Sequence, residues 1–517
     1  MMRFLSFLLF LVMATHILQG QEGHDSRFPA ANKREQDSVA RLISASPDMC
    51  SWGAYPTYGR YVEMMDSMAA AHPTICELYN IGNTLLGRSL LVMRITDHPE
   101  RQEDEPELFY TSTMHGDEVV GYVMMLRLID TLLSSYGRDE RITNLVDSID
   151  IFINPNANPD GTYGDDDLTL SGASRRNANG VDLNRNFPDP QDGPHPDGHD
   201  WQPETRAMMD FAREQHITLS ANFHGGTEVA NYPWDTWERT HVDSSWLRHI
   251  SSIYAQSAQE NSPEGYFALL TPSGIIKGTD WYSISGGRQD YMTYFKQARE
   301  ITLEISETKI PSASALPDYW KYNREALLSY MEESLHGIRG MVTDKWGIPV
   351  HAMVEVIGHD QDRDSSMVFT DPDVGDYHRM IDSGSYDVRF SATDFQDTTV
   401  QDIQVINGKA TRIDVVLNRV VQSTGQSGLV KHFVCYPNPF GEVLQVEIQL
   451  RHETEELSIQ LADIQGRIIR HIEKTNMAAG LHRFTVRLSN HTFSPGMYFI
   501  HINTDSRIIT RKVLHVR

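Results

Sequence analysis

Cysteine is nearly absent: Cys50, Cys76 and Cys435 are the only three in 517 residues. No Cys-x-x-Cys occurs, so cysteine builds neither a thiolate zinc site nor a dithiol redox site. The sequence leaves a Cys50–Cys76 pairing open, and an odd count leaves at least one thiol unpaired within the chain. Positive charge is also short. Lys and Arg number 45 against 70 Asp and Glu, a net charge of −25 that excludes a nucleic-acid partner. Long apolar runs are missing too. The one apolar stretch, residues 4–12, follows Arg3 and precedes the small Gly20. It is too short for a typical membrane span and reads as a secretory signal over residues 1–20. No later segment is long and apolar enough to cross a bilayer, so no transmembrane segment is expected after signal removal. Residues 21–48 are polar and read as a leader ahead of the first folded unit.

Length suggests about three domains. Residues 58–72 carry a helical pattern through Tyr61, Met64, Met65 and Met68, stopped before Pro73. Residues 75–81 and 90–95 read as strands joined by the turn at 82–87. Short apolar strands follow at 108–113 and 150–153, and helical spacing at 119–133, 204–216 and 317–335. Residues 217–223 alternate as a strand. In 301–306, Ile301, Leu303 and Ile305 face one way while Thr302, Glu304 and Ser306 face the other. This alternation of strand and helix predicts an α/β unit over 49–336, a mixed sheet covered by helices. From Gly337 the texture changes to short strands with Gly and Asp turns and no helix pattern, a small β-sandwich over 337–421. Residues 422–434 read as a linker on their polar Ser/Gly composition, and 435–517 as a second small all-β sandwich.

Chemistry concentrates in a few places. His115 and Glu118 stand where the strand at 108–113 runs into a helix, the strand end at which open α/β sheets present ligands. An imidazole and a carboxylate three residues apart can reach one metal ion there; the plainer reading is a solvated helix start with Glu118 favoured by the dipole. Residues 175–188 are rich in Asn and Arg with few apolar anchors. That suits either a hydrogen-bonded surface loop or a loop presenting guanidinium and amide groups to an anion. His224 ends a strand and is followed by Gly225 and Gly226, which leave it little steric cover. Glu304 sits mid-strand, where a carboxylate is costly unless paired or used.

Taken in order, His115-Gly116-Asp117-Glu118, Asn158-Pro159-Asp160-Gly161, Asp182-Leu183-Asn184-Arg185-Asn186-Phe187-Pro188, His224-Gly225-Gly226, Trp281-Tyr282, Gly286-Gly287 and Thr302-Leu303-Glu304-Ile305-Ser306 resemble the zinc carboxypeptidases of the funnelin family. The resemblance is closest to the regulatory, N/E-like subfamily. It implies a carboxypeptidase-like sheet of the eight-stranded type and one Zn²⁺ per chain held by His115, Glu118 and His224. Two nitrogens and a carboxylate with an open fourth position are a catalytic zinc set. It makes Glu304 the general base and acid, and Arg175 the oxyanion-steadying arginine, with Arg176 adjacent in the count. Asn184 and Arg185 would grip the substrate's terminal carboxylate and Tyr282 would close over it. Asp235 and Gln289 would line the pocket for the leaving residue and select Lys or Arg. Arg288, beside Gln289, would neutralise Asp235 if it turned inward.

The unit over 337–421 resembles the transthyretin-like sandwich that follows the catalytic domain in that subfamily. Tyr436-Pro437-Asn438-Pro439-Phe440, Gly466-Arg467, Gly496-Met497-Tyr498 and the basic end resemble the C-terminal sorting domain of type IX secretion substrates. The implied protein is secreted or held at the outer cell surface, with peptide or protein C-termini as substrates and the type IX secretion machinery as partner. A surface binding protein on an inactive peptidase scaffold is opposed by the intact set His115, Glu118, His224 and Glu304. An enzyme acting on cell-wall peptides is opposed by the transthyretin-like module.

Overall fold

The computed structural model describes residues 52–164, 166–420, 429–441, 443–463, 467–487, 496–504 and 507–515. The expected signal, the leader, Cys50 and most of the linker lie outside these residues. The described part of the first unit runs α1 (Tyr58–Ala71), β1 (Cys76–Asn83), β2 (Ser89–Ile95), β3 (Glu107–Ser112), α2 (Val120–Ser135), α3 (Glu140–Val146), β4 (Asp150–Asn154), α4 (Pro159–Tyr163), α5 (Pro203–Glu214), β5 (Ile217–His224), β6 (Thr227–Tyr232), α6 (Ser244–Glu260), β7 (Ile275–Lys277), α7 (Gly278–Trp281), α8 (Arg288–Phe295), β8 (Arg299–Ser306) and α9 (Leu316–Glu332). The strands form one mixed sheet of eight in the order β1-β2-β4-β3-β5-β8-β6-β7. β4, β3, β5 and β8 are mutually parallel, flanked by antiparallel β2 and β6.

The central strands are buried on both faces because helices cover both. One face packs Tyr110, Leu219, Ala221, Phe223, Leu303 and Ile305 against α2, α6 and α9 in the main core. The other face carries a second cluster with Phe109, Phe152, Met208, Phe211 and Tyr291 under α5 and α8. On that second face β5 and β8 place polar rows, Ser220-Asn222-His224 and Glu300-Thr302-Glu304, side by side in register. The expected strands and helices fall close to their observed bounds. α3, α4, α6, α7, α8, β6 and β7 are not among the expected elements. α6 buries Trp246, Leu247, Ile250 and Tyr254 on one face, but its Ser-rich opposite face weakens the periodic signal.

The second set of strands, β9 (Gly337–Asp344) to β16 (Val415–Leu417), makes two four-stranded sheets. Val342, Val354, Val356, Tyr377, Val388, Phe390 and Leu417 fill the space between them. This sandwich belongs to the same compact unit as the large sheet. Their seam is ionic. Asp243, at the start of α6, receives Arg299 Nη2 at 2.7 Å from β8, Arg379 Nη2 at 2.8 Å and His359 Nε2 at 2.7 Å from the sandwich. Burial alone would raise the Asp243 carboxyl, but Arg379 and Arg299 overcome it and hold the group well below the usual carboxylate range. His216 Nε2 donates to Phe369 O at 2.8 Å across the same seam.

The last unit, described by itself, has a three-stranded sheet in the order β17 (Val430–Tyr436), β18 (Val443–Leu450), β21 (Gly480–Arg487) and a four-stranded sheet in the order β20 (Ile468–Met477), β19 (Thr454–Asp463), β22 (Gly496–Thr504), β23 (Arg507–His515), around Leu444, Val446, Ile448, Ile459, Leu461, Ile500 and Ile502. β17 spans Val430–Tyr436, so the stretch read as linker to residue 434 already contains a strand by its end. Cys76 is buried and Cys435 half-buried, both free thiols pushed up to about 12 by burial. Among the described residues no helix is long and apolar enough to cross a membrane.

Candidate active site

β3 ends at a tight turn. Thr113 adopts φ 60°, rare for a β-branched residue, and its Oγ1 donates to Glu118 O at 3.0 Å. That bond folds the segment so that His115 and Glu118 face the same space. Gly116 is obligatory in this turn: a β-carbon there would collide with the backbone of Gly161 and Thr162. The Asn158–Gly161 segment is therefore a buttress. Asn158 Nδ2 donates to Met114 O at 3.1 Å, and Asp160 is tied down by Thr84 Oγ1, Leu86 N–H and Arg88 Nη1.

His224, at the end of the neighbouring parallel strand β5, completes a buried triad. His115 Nδ1 and His224 Nδ1 each lie 2.9 Å from Glu118 Oε2 and 3.0 Å from one another. Their outer nitrogens are already engaged: His115 Nε2 meets Asp182 Oδ1 at 3.1 Å and His224 Nε2 meets Asn222 Oδ1 at 2.5 Å. An imidazole that donates from Nε2 keeps a lone pair on Nδ1. Two such lone pairs and a carboxylate oxygen thus converge, which is the donor set of a catalytic zinc site backed by oxygen acceptors. Their spacings are a few tenths of an ångström short of the roughly 3.3 Å expected between ligands of a tetrahedral ion. These residues, grouped by geometry alone, fit a metal. Burial would lower His115, but Glu118 and Asp182 raise it, while burial takes His224 down to about 4. The second oxygen of Glu118 is held by Lys309 Nζ at 3.0 Å.

Around the triad stand most of the residues expected from sequence. Glu304 is the register partner of His224, and its Oε2 is buried without a hydrogen-bond partner. Burial and then Glu118 raise its carboxyl well above the ordinary value, against Arg175 and Lys309. Arg175 Nε donates to Asp182 Oδ2 at 2.9 Å and its Nη1 is 3.1 Å from His115 Nδ1. Arg176 turns away and donates to Gly180 O. Asn184 Oδ1 accepts the Arg288 N–H at 2.9 Å, which leaves its NH₂ as the free end. Tyr282 is 48% exposed and feels the charges of Glu304, Arg185, Asp235 and Arg175.

The pocket residues are also brought together. Asp235 is buried and takes a hydrogen bond from Asn231 Nδ2 at 2.9 Å, with no ion-pair partner among the described residues. Burial pushes its carboxyl up to about 6, with Asn231 and Arg185 pulling the other way. Asp290 holds the turn that presents it, accepting the N–H groups of Asp235 and Thr236. Gly278 closes the pocket wall, since a β-carbon there would strike Asp235 Oδ1. Gln289 is buried with both amide atoms unpartnered. Arg288 does not neutralise Asp235. It lies over Phe109, donates to Thr111 Oγ1 and pairs with Glu300 at 3.2 Å. Sequence reading missed Asp182, Asn222, Glu300 and Lys309 as supports; the signal for Asn222 and Glu300 was a polar residue every second position in strands with no solvent face.

Residues 61–326 match the zinc carboxypeptidase family, 337–418 the carboxypeptidase regulatory-like domain and 434–516 the secretion system C-terminal sorting domain. The last match marks the chain for secretion and the outer cell surface. Carboxypeptidase M of Mus musculus is 37% identical over 62% of this chain and 74% of its own length. Carboxypeptidase N catalytic chain of Rattus norvegicus is 35% identical over 70% of this chain and 86% of its own length. The crystal structure of thrombin activatable fibrinolysis inhibitor aligns with a TM-score of 0.48 at 20% identity, covering 58% of this chain and 78% of that one. A match across more than half of the chain, over a sheet whose strand ends gather two imidazoles and a carboxylate beside a half-buried glutamate, makes this protein a member of the zinc carboxypeptidase family.

Proposed function

We propose that the protein removes a single C-terminal residue, Lys or Arg by preference, from peptides and proteins outside the cell. His115, Glu118 and His224 would hold one zinc ion. When bound, zinc supplies a Lewis acid and lowers the pKa of a water toward neutrality. Glu304 takes the proton from the attacking water and returns it to the leaving amine. The Arg175 guanidinium steadies the oxyanion. The free NH₂ of Asn184, the fork of Arg185 and the Tyr282 hydroxyl demand a terminal carboxylate next to the scissile bond, which limits cleavage to the last residue. The observation that carries the basic preference is Asp235, a buried carboxylate without an ion-pair partner among the described residues, beside the unpartnered amide of Gln289. Such a pair favours a cationic head over an apolar one.

The test is a release assay on peptides differing only in their last residue. Ends in Arg or Lys should be cleaved faster than ends in Leu or Phe, and a zinc chelator should stop all four. Asp235→Ala should erase most of the preference, a change of about 2 kcal/mol or more in relative kcat/KM. The sign with pH follows from the raised carboxyl. Below about 6 the unliganded Asp235 is protonated and neutral, so discrimination against Leu should shrink as the pH falls through that value. A wild-type preference for Leu or Phe would overturn the pocket assignment and leave the zinc chemistry standing.

We further read the chain as a catalytic domain over 49–336, a transthyretin-like sandwich over 337–421 and a sorting domain that engages type IX secretion machinery. Removing residues 430–517 should abolish appearance at the cell surface while the protein retained inside still cleaves the Arg-ended peptide. Surface delivery of the shortened chain, seen by protease shaving of intact cells, would sink the sorting assignment.

A further inference from the structure

We propose that Glu300 is a positioning residue for the metal centre: acting through Asn222, it dictates which nitrogen of His224 is left free to bind zinc. This rests on the reading of His115, Glu118 and His224 as the ligands. An Asn side chain offers a carbonyl and an NH₂ at nearly the same place, so it cannot by itself tell an imidazole which nitrogen to protonate. Asn222 is told by what lies behind it. Its Nδ2 donates to Glu300 Oε1 at 2.8 Å and faces Thr302 Oγ1 at 3.1 Å. A carboxylate only accepts, so the NH₂ must face Glu300 and Oδ1 must face His224. His224 then carries its proton on Nε2 and presents a bare Nδ1 to the triad.

Burial raises the Glu300 carboxyl, and Arg288, Ser220 and Asn222 oppose that rise and favour the charged form. Ser220 Oγ donates to its Oε2 at 2.6 Å, and Arg288 Nη2 lies 3.2 Å from the same oxygen. All of these groups are buried: Glu300 and Ser220 at 0% exposure, Arg288 at 1% and Asn222 at 2%. Water is thus kept from offering Asn222 an alternative partner. The backbone N–H of Arg288 holds Asn184 Oδ1. Arg288 therefore touches both Glu300, behind the metal side of the site, and Asn184, the amide proposed to meet the substrate carboxylate.

The experiment measures zinc affinity by chelator competition, together with the thermal midpoint of the zinc-free protein. Removing a partner behind a ligating histidine typically weakens metal binding about 10–100-fold. Glu300→Gln should fall in that range, because a Gln amide can face Asn222 either way. Asn222→Ala should do the same. The combination of the two should be no weaker than Asn222→Ala alone, since Glu300 acts only through that amide. A loss that adds up across the pair, or a Glu300→Gln protein with lowered thermal midpoint and wild-type zinc affinity, overturns the inference. If Glu300→Gln alone fails to fold around the stranded Arg288, Glu300→Gln with Arg288→Met removes both charges and should show the same zinc deficit; wild-type affinity there overturns the inference too. His115→Ala separates the two levels. If it loses zinc while Glu300→Gln does not, only the Glu300 assignment falls. If it binds zinc like wild type, the ligand reading falls and this inference with it.

Discussion

Glu304→Gln should leave zinc bound and turnover nearly abolished. The three converging donors do not include residue 304, so the metal content of the variant should match wild type. The catalytic loss follows from what an amide cannot do. Glu304 stands next to His224 in the β5–β8 register with one carboxylate oxygen buried and unpartnered. That oxygen is available to take a proton and later return it, whereas Gln has no site for it. General base and acid work is worth typically about 10²–10⁴-fold in rate, and kcat on an Arg-ended peptide should drop by that much. A variant with kcat within tenfold of wild type and full zinc occupancy would end the assignment of Glu304 as base.

Asp243→Ala should destabilise the first unit by about 3–5 kcal/mol. The carboxylate is buried between Arg299 and Arg379, which are themselves 1% and 0% exposed. Removing it strands two guanidinium groups against each other away from water. Arg379 retains Asp360 at 2.6 Å, but Arg299 keeps only carbonyl acceptors at Gln297 and Ser366. The comparison variant is Asp210→Ala, which deletes an ion pair to Arg213 whose side chains are 51% and 63% exposed. That pair is worth no more than about 1 kcal/mol. The pH behaviour has a definite sign. The Asp243 carboxyl is depressed in the folded state, so its contribution is complete above the ordinary value of 3.8 and is lost as the pH falls below it. Equal thermal midpoints for the Asp243 and Asp210 variants at neutral pH would show that the seam does not depend on this charge.

The difference between those two aspartates marks what sequence can and cannot disclose. His115, Glu118, His224 and Glu304 were legible because each lies at a strand end or in a strand whose apolar pattern is local, and because the surrounding turns are spelled in Gly, Pro and Asn. The mixed sheet and the two β modules were legible for the same reason. Asp243 was not. Its partners Arg299, His359 and Arg379 come from a distant strand and from the sandwich, and nothing beside it in the chain announces them. Asn222 and Glu300 lay in between. Their alternation with apolar neighbours was visible, but alternation ordinarily signals a face in water, and only the covering helix α8 turns it into a buried polar relay. Most of strand β17 was hidden by composition, since the flanking Ser/Gly stretch gave residues 430–434 the look of a linker.

The fixed orientation of Asn184 has a consequence for which tails are safe from this enzyme. With its oxygen occupied by the Arg288 N–H, the residue turns only hydrogens toward an incoming chain end. The Arg185 guanidinium beside it likewise has nothing but hydrogens to offer. A peptide whose last carboxylate has been converted to an amide would bring an NH₂ group of its own into this all-donor cradle, and donors facing donors are left unsatisfied at a cost that sites of this kind turn into discrimination of about 10⁴-fold or more. On the roles proposed for Asn184 and Arg185, amidation should therefore shield a chain end from trimming, whatever the last side chain is.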